Sequence, residues 1–320
     1  MARKTITYTL IFFSFLFFQQ CNIPLAGKIE PVSYQFNEDS AYEFIAKQVS
    51  FGSRVPNTPA HDSCAQYLIS KLKQYGSQVS VQNATVYRYD SLPLNISNII
   101  GVFYPDKKKR ILLFSHWDSR FVADNETNDS LRKIPILGAN DGASGVGVLL
   151  EIARKISQVE PNVGVDIIFF DAEDQGEPAY LNVFNEYSWG LGAQYWAKNK
   201  HFDNYLYGIN LDMVGGKNAR FYEEDFSRFY YGYLVRRIWK IAQQIGYSDT
   251  FITKRTKGVI DDHFFVNQSD VRSILIIHTN RDNKFFPEYW HTHNDNMQAI
   301  DKQSLKKVGQ LILTVIYNQK

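Results

Sequence analysis

The chain has 320 residues, enough for one large or two small domains, and its 44% apolar content supplies a globular core. With 35 basic and 33 acidic side chains the formal charge is +2, so no electrostatic field favours nucleic acid as a partner. The first segment, "MARKTITYTLIFFSFLFFQQC", has a basic start and an apolar run from Leu10 to Phe18, short of the roughly 20 residues that a spanning helix needs. It fits a secretory signal, so residues 1–25 are set apart and residues 26–320 are expected to form a single catalytic domain. Cys21 offers a lipid-attachment site and hence anchoring to a membrane through the N-terminus, although "FFQQC" lacks the small residues expected before it; cleavage near Ala26 is the alternative. Either route exports the chain. Cys64 then has no partner for a disulfide and reads as a small buried hydrophobe, which suits the periplasm of a Gram-negative bacterium.

Helical spacing appears over Ser40–Val49 and Ala60–Tyr75, and strand-like runs follow at Val79–Tyr89, Ile96–Phe103 and Arg110–Phe114. The basic run Asp106–Arg110 ("DKKKR") reads as a solvated turn before the last of these. A helix at Ala143–Ser157, a strand at Val165–Phe170 and a helix at Leu191–Asn199 come next. The segment "YLYGINLDMV" is a strand, Phe226–Ile245 a long helix, Ser273–His278 a strand and Lys302–Tyr317 a closing helix. Near-continuous apolar strands alternating with helices predict a three-layer α/β/α fold around a mixed, mostly parallel twisted sheet, with the early strands forming an antiparallel edge. No internal repeat or low-complexity tract interrupts it.

In such sheets ligands bind at the carboxyl ends of the strands. The polar clusters fall there. "RILLF" runs into His116 and Asp118, "VDIIFF" into Glu173 and Asp174, and "YGINL" into Asp212. Asp141 stands in the Gly-rich "GANDGASG" entering a helix, and "PEYWHTHND" follows the last strand. Each acid alone reads as a cap or an Asx-turn; their convergence on one sheet edge does not. Carboxylates and imidazole without thiolate describe a catalytic zinc site, with Asp141, Asp174 and His291 as ligands. Neighbouring side chains at a strand end diverge, so Glu173 is left free as the general acid/base.

The ordered set "FSHWDSR", "GANDGASGVGVLLEIAR", "IIFFDAEDQGE", "NLDMVGG", "DDHFFV" and "FPEYWHTHNDN" resembles the animal-type zinc-dependent glutaminyl cyclases and their bacterial relatives, whose fold is that of the zinc aminopeptidases. The resemblance spans roughly residues 40 to 320. It implies one Zn2+ per chain and conversion of the N-terminal Gln of peptides or proteins to pyroglutamate with release of ammonia by a monomer. It also implies Asp212 and Asp261 beside Glu173 in the proton chemistry, Trp290, Phe286 and Trp189 as the pocket's aromatic walls, and His116 close to the substrate. Two features depart from the animal pattern: Asp174 stands where those enzymes carry Glu, and the segment Gln175–Gly190 is longer. The alternative is a two-zinc aminopeptidase, in which His116 and Asp212 would hold a second metal. A metal-free binding protein of this fold would have lost ligands, and none is lost here. For His263 and His293 a solvated loop is expected, and for Asp295 a turn cap.

Overall fold

The computed structural model describes residues 29, 30, 32, 34–200, 204–280 and 284–319; the expected export signal, Cys21 and Ala26 lie outside them. Helices α1 (Glu38–Val49) and α2 (Pro59–Gln74) begin on Asn37 and Thr58, whose side chains accept backbone N–H groups of the first turn. Strands β1 (Gln78–Tyr87) and β2 (Pro93–Phe103) form a hairpin, followed by β3 (Arg110–His116), the short α3 (Asp129–Arg132), α4 (Ala143–Gln158), β4 (Gly164–Phe170) and α5 (Leu191–Lys198). Then come β5 (Tyr205–Asp212), β6 (Phe221–Glu224), α6 (Asp225–Gln244), β7 (Phe251–Thr256), α7 (Asp262–Asn267), β8 (Ser273–Ile277) and α8 (Lys302–Tyr317).

Six strands form the central sheet in the order β1-β2-β4-β3-β5-β8. The β1/β2 and β2/β4 pairs are antiparallel, and β4/β3, β3/β5 and β5/β8 are parallel. This is the mixed sheet with an antiparallel edge that the sequence predicts. Its central strands bury both faces. In β3, Ile111 and Leu113 enter the large core beneath α1, α4 and α8, while Leu112 and Phe114 enter a smaller one beneath α5 and α7. In β4, Val165 and Phe169 face the first core and Ile168 and Phe170 the second. That two-sided burial is why these segments read as unbroken apolar runs. Cys64 is fully buried in the large core, a free thiol as anticipated.

Sequence reasoning missed β6, β7 and α7. β6 and β7 pair in parallel as a separate two-stranded sheet, and β7 ("FITKRT") exposes Thr253, Lys254 and Arg255 in a row, so it carries no apolar alternation. Arg110 also differs from the solvated turn expected of it: it is buried and paired with Asp166. Among the described residues no helix is long and apolar enough to cross a membrane.

Candidate active site

The parallel strands end on one edge, and three residues there adopt left-handed backbone. Ala172 (φ 52°) turns the chain before Glu173, Met213 (φ 46°) turns it after Asp212, and His291 (φ 55°) does so itself. A non-glycine residue holds such a conformation only where its surroundings enforce it. Here the reversals aim the strand-end side chains into a cavity of about 610 Å³. Asp141, Glu173, Asp174, Trp189, Asp212, Asp261, Phe286, Trp290 and His291 all line it. His116 does not. It lies fully buried behind the wall, with Nε2 3.1 Å from Asp141 Oδ1 and 3.2 Å from Asp212 Oδ1.

Asp141, Asp174 and His291 each offer a ligand atom, and these atoms lie within 4.8 Å of one another. His291 Nε2 is 3.4 Å from Asp174 Oδ1 and 3.7 Å from Asp141 Oδ2. Asp174 Oδ2 is buried without any hydrogen-bond partner, an uncompensated acceptor that a cation would satisfy. Two carboxylates and an imidazole with no sulfur match a zinc site that keeps a position open. His116, Asp141 and Asp212 form a second such group, sharing Asp141.

The site is held from behind. Asp118 stands 3.4 Å from His116 Nδ1, but its shorter bonds go elsewhere. Its oxygens accept the backbone N–H of Glu173 at 3.0 Å and of Asp174 at 3.2 Å, and the Gln175 amide at 2.9 Å. Asp295, expected to be a turn cap, is instead fully buried and accepts the N–H of Asn140 at 2.7 Å and of Asp141 at 3.0 Å. Two acids thus fix the backbones that present the ligands. Gly142 (φ 84°) is obligatory beside them, because a Cβ there would lie 2.8 Å from Asp118 O and 2.9 Å from His116 Cε1.

Arg120 and Asp124 were not singled out by sequence reasoning. Asp124 Oδ1 lies 3.0 Å from His291 Nδ1, the ring nitrogen facing away from the ligand group. The fully buried Arg120 donates to both Asp124 oxygens at 2.8 and 2.7 Å and to Asp174 Oδ1 at 3.0 Å. Its guanidinium also sits 4.7 Å from the Trp189 ring, a cation–π contact. One arginine therefore joins two of the ligand residues to an aromatic wall. Nothing local marks it, since Asp174 is 54 residues away in sequence. His263 also differs from expectation: it is buried in the wall, 3.3 Å from Glu224. His293 is partly exposed and meets Glu126 at 3.1 Å.

Burial and the facing charges set the proton affinities. Burial, reinforced by Asp261, Asp174 and Asp262, pushes the Glu173 carboxyl well above the usual range. Burial likewise takes Asp212 up to about 7 against the opposing pull of His116. Asp261 is raised by burial; one oxygen accepts from Asn210 Nδ2 at 2.7 Å, and the other has no hydrogen-bond partner among the described residues. The cavity therefore combines a metal-ligand group, a carboxyl with high proton affinity and a stack of rings. Trp290 lies 3.7 Å from the His291 ring and 4.3 Å from Phe286, centroid to centroid.

Comparison with known proteins places these features in a family. Residues 98–316 match peptidase family M28. The structure resembles that of a glutaminyl cyclase from Bacteroides thetaiotaomicron, at 48% identity and a TM-score of 0.87 over 90% of this chain and 99% of that one. It resembles equally a zinc-dependent exopeptidase from Parabacteroides distasonis, at 48% identity and a TM-score of 0.88 over 90% of this chain and 100% of that one. Among curated proteins, the glutaminyl-peptide cyclotransferase of Drosophila melanogaster is 24% identical over 81% of this chain and 75% of its own length.

Proposed function

This chain belongs to peptidase family M28, and from that premise we propose that it is a zinc-dependent glutaminyl-peptide cyclotransferase, acting on peptides and proteins with N-terminal Gln. The observation that carries the reading is a cavity whose lining combines the rings of Trp290, Phe286 and Trp189 with the carboxyls of Glu173 and Asp261 beside the metal-ligand group. Rings of this kind hold a flat side-chain amide, and the acids beside them serve proton transfer.

Asp141, Asp174 and His291 are the residues that would hold the metal, with Asp124 orienting the imidazole. Zinc bound there supplies Lewis-acid polarisation of a carbonyl oxygen. In the reaction the substrate's α-amine nitrogen bonds to the γ-carbonyl carbon, and the bond from that carbon to the amide nitrogen breaks. Glu173 takes the proton released by the α-amine and returns it to the departing nitrogen, which leaves as ammonia. Its raised proton affinity suits a group that must carry a proton between two nitrogens. Asp261 accepts an N–H of the leaving group on its unpartnered oxygen, and Asp212 sits behind as a further proton acceptor. Trp290 and Phe286 flank the side chain and exclude water. Because the nucleophile belongs to the substrate, no water has to be activated.

The second reading, a two-zinc aminopeptidase, is favoured by the His116, Asp141 and Asp212 group. Incubation of the zinc-loaded protein with a Gln-initiated peptide, read by mass spectrometry and ammonia release, separates the two. Loss of one ammonia from an otherwise intact peptide supports the cyclase. Free glutamine and a shortened peptide would overturn it. We also propose an exported, monomeric protein of the Gram-negative periplasm, whose signal (residues 1–25) either is cleaved or anchors the chain through Cys21; the basic and apolar start of the sequence supports this.

A further inference from the structure

The catalytic cavity does not end at its mouth. Phe226 and Gly258 line it, and both also line a second cavity of about 640 Å³ that includes Phe229, Tyr230 and Arg255. Phe226, which the two cavities share, belongs to a run of rings in contact. Tyr187 lies 6.2 Å from Phe265, Phe265 5.3 Å from Phe264, and Phe264 5.1 Å from Phe226 and 6.4 Å from Tyr230. Tyr230 in turn meets Phe229 at 5.2 Å. Phe229 is 81% exposed and Phe184, which also lines the first cavity, 68%. The long segment that carries Phe184 also exposes Val183 and Tyr187, so large apolar side chains crowd the route out of the site. Arg255 pairs with Asp225 at 3.3 Å and Arg228 with Glu223, Lys257 adds a cation to the lining of the catalytic cavity, and the rings supply the apolar contact surface. Helix α6 departs from helical geometry at Tyr231 (φ −148°, ψ 57°), directly after the two rings that form the far end of the ribbon.

A peptide whose first residue occupies the catalytic cavity must run out of it, because its second residue is covalently attached to the one that reacts, and the side bounded by Phe226 and Gly258 adjoins the second cavity. An extended chain advances about 3.3 Å per residue, so the next few residues can reach past Phe226 toward Phe229 and Tyr230, which line the second cavity. We propose that the groove from Phe226 to Phe229 is a subsite for the residues following the N-terminal Gln, and that it selects substrates with aromatic or other large apolar side chains at the third to fifth positions. This rests on the reading that the N-terminal Gln occupies the inner cavity. Rings in this arrangement offer edge and face contacts to an incoming ring, and an exposed aromatic anchor at the end of a groove is where binding energy concentrates.

The test uses the zinc-loaded protein and Gln-initiated pentapeptides that carry Phe, Leu, Ser or Gly at the third, fourth or fifth position, with Gln-Gly as the short reference. Two quantities are read: kcat/KM by ammonia release, and the affinity of the same peptides with a fluorophore at the C-terminus. Phe or Leu at one of these positions should raise kcat/KM about tenfold over Gly, through KM, with a matching gain in affinity. Phe229→Ser should remove that gain and leave Gln-Gly turnover unchanged, and Phe229→Leu should restore most of it. Position-independent kinetics in the wild type, or a gain that survives Phe229→Ser, would overturn the proposal. So would a dimer in solution that Phe229→Ser dissociates without altering peptide affinity. If the peptides lose glutamine instead of ammonia, the cyclase reading fails, and the affinities still decide whether the groove holds apolar side chains.

Discussion

Asp124→Asn probes the link between the ligand residues and the arginine behind them. All four groups that face the Asp124 carboxylate are donors. Oδ1 meets Arg120 Nε at 2.8 Å and His291 Nδ1 at 3.0 Å, and Oδ2 meets Arg120 Nη2 at 2.7 Å and the Ala179 N–H at 2.7 Å. An asparagine retains one acceptor and necessarily turns its NH2 group against two of these donors. If the NH2 faces His291, the imidazole loses the acceptor that fixes its tautomer. If it faces Ala179, the Arg120 clamp on Asp174 loses a charged partner. Loss of such a contact behind a metal ligand lowers metal affinity by about 10- to 100-fold, equivalent to about 1.4–2.8 kcal/mol. Zinc dissociation constants from competition with a chromophoric chelator, on folded protein verified by circular dichroism, measure this directly. A variant that is folded and binds zinc within about twofold of the wild type would refute the reasoning.

Glu173→Gln should reduce kcat by about 10² to 10⁴ while zinc stoichiometry, measured by atomic absorption, stays unchanged. Gly176→Ala places a Cβ 2.1 Å from Trp189 Cε2, so the ring must move. About 1–3 kcal/mol of overpacking should appear as lost stability in urea unfolding, and the displaced ring should raise KM for Gln peptides with a smaller effect on kcat. His278 is buried, and burial together with Arg220 lowers its pKa from 6.5 to about 4. The unfolded chain therefore takes up a proton at this position between those pH values and the folded chain does not, so the contribution is present above pH 6.5 and lost as the pH falls to about 4. In His278→Asn the stability difference between pH 7 and pH 4, from urea unfolding, should be smaller than in the wild type by about 3 kcal/mol. Equal pH dependence in the two proteins would count against a neutral buried imidazole.

The sequence by itself determined the layers of the fold and the edge on which the site lies. Strands such as "RILLF" and "VDIIFF" bury both faces, so their apolar runs are visible without partners, and the acids that follow them are adjacent in the chain to the element that aims them. Glu173, Asp174 and Asp212 were legible for that reason, Asp141 through the Gly-rich turn before α4, and His291 and Trp290 through the polar, ring-bearing segment after the last strand. What sequence reasoning could not reach depends on contacts without a local signature. Asp295 fixes the N–H of Asn140 from 155 residues away, and Arg120 meets the backbone of Glu177 across 57. His263 looks like a loop histidine until β6 and α7 close around it, and β7 carries too little apolar periodicity to be seen. Periodicity records which face of an element is buried. It does not record which distant residue arrives to satisfy a buried charge, and tertiary packing alone settled that.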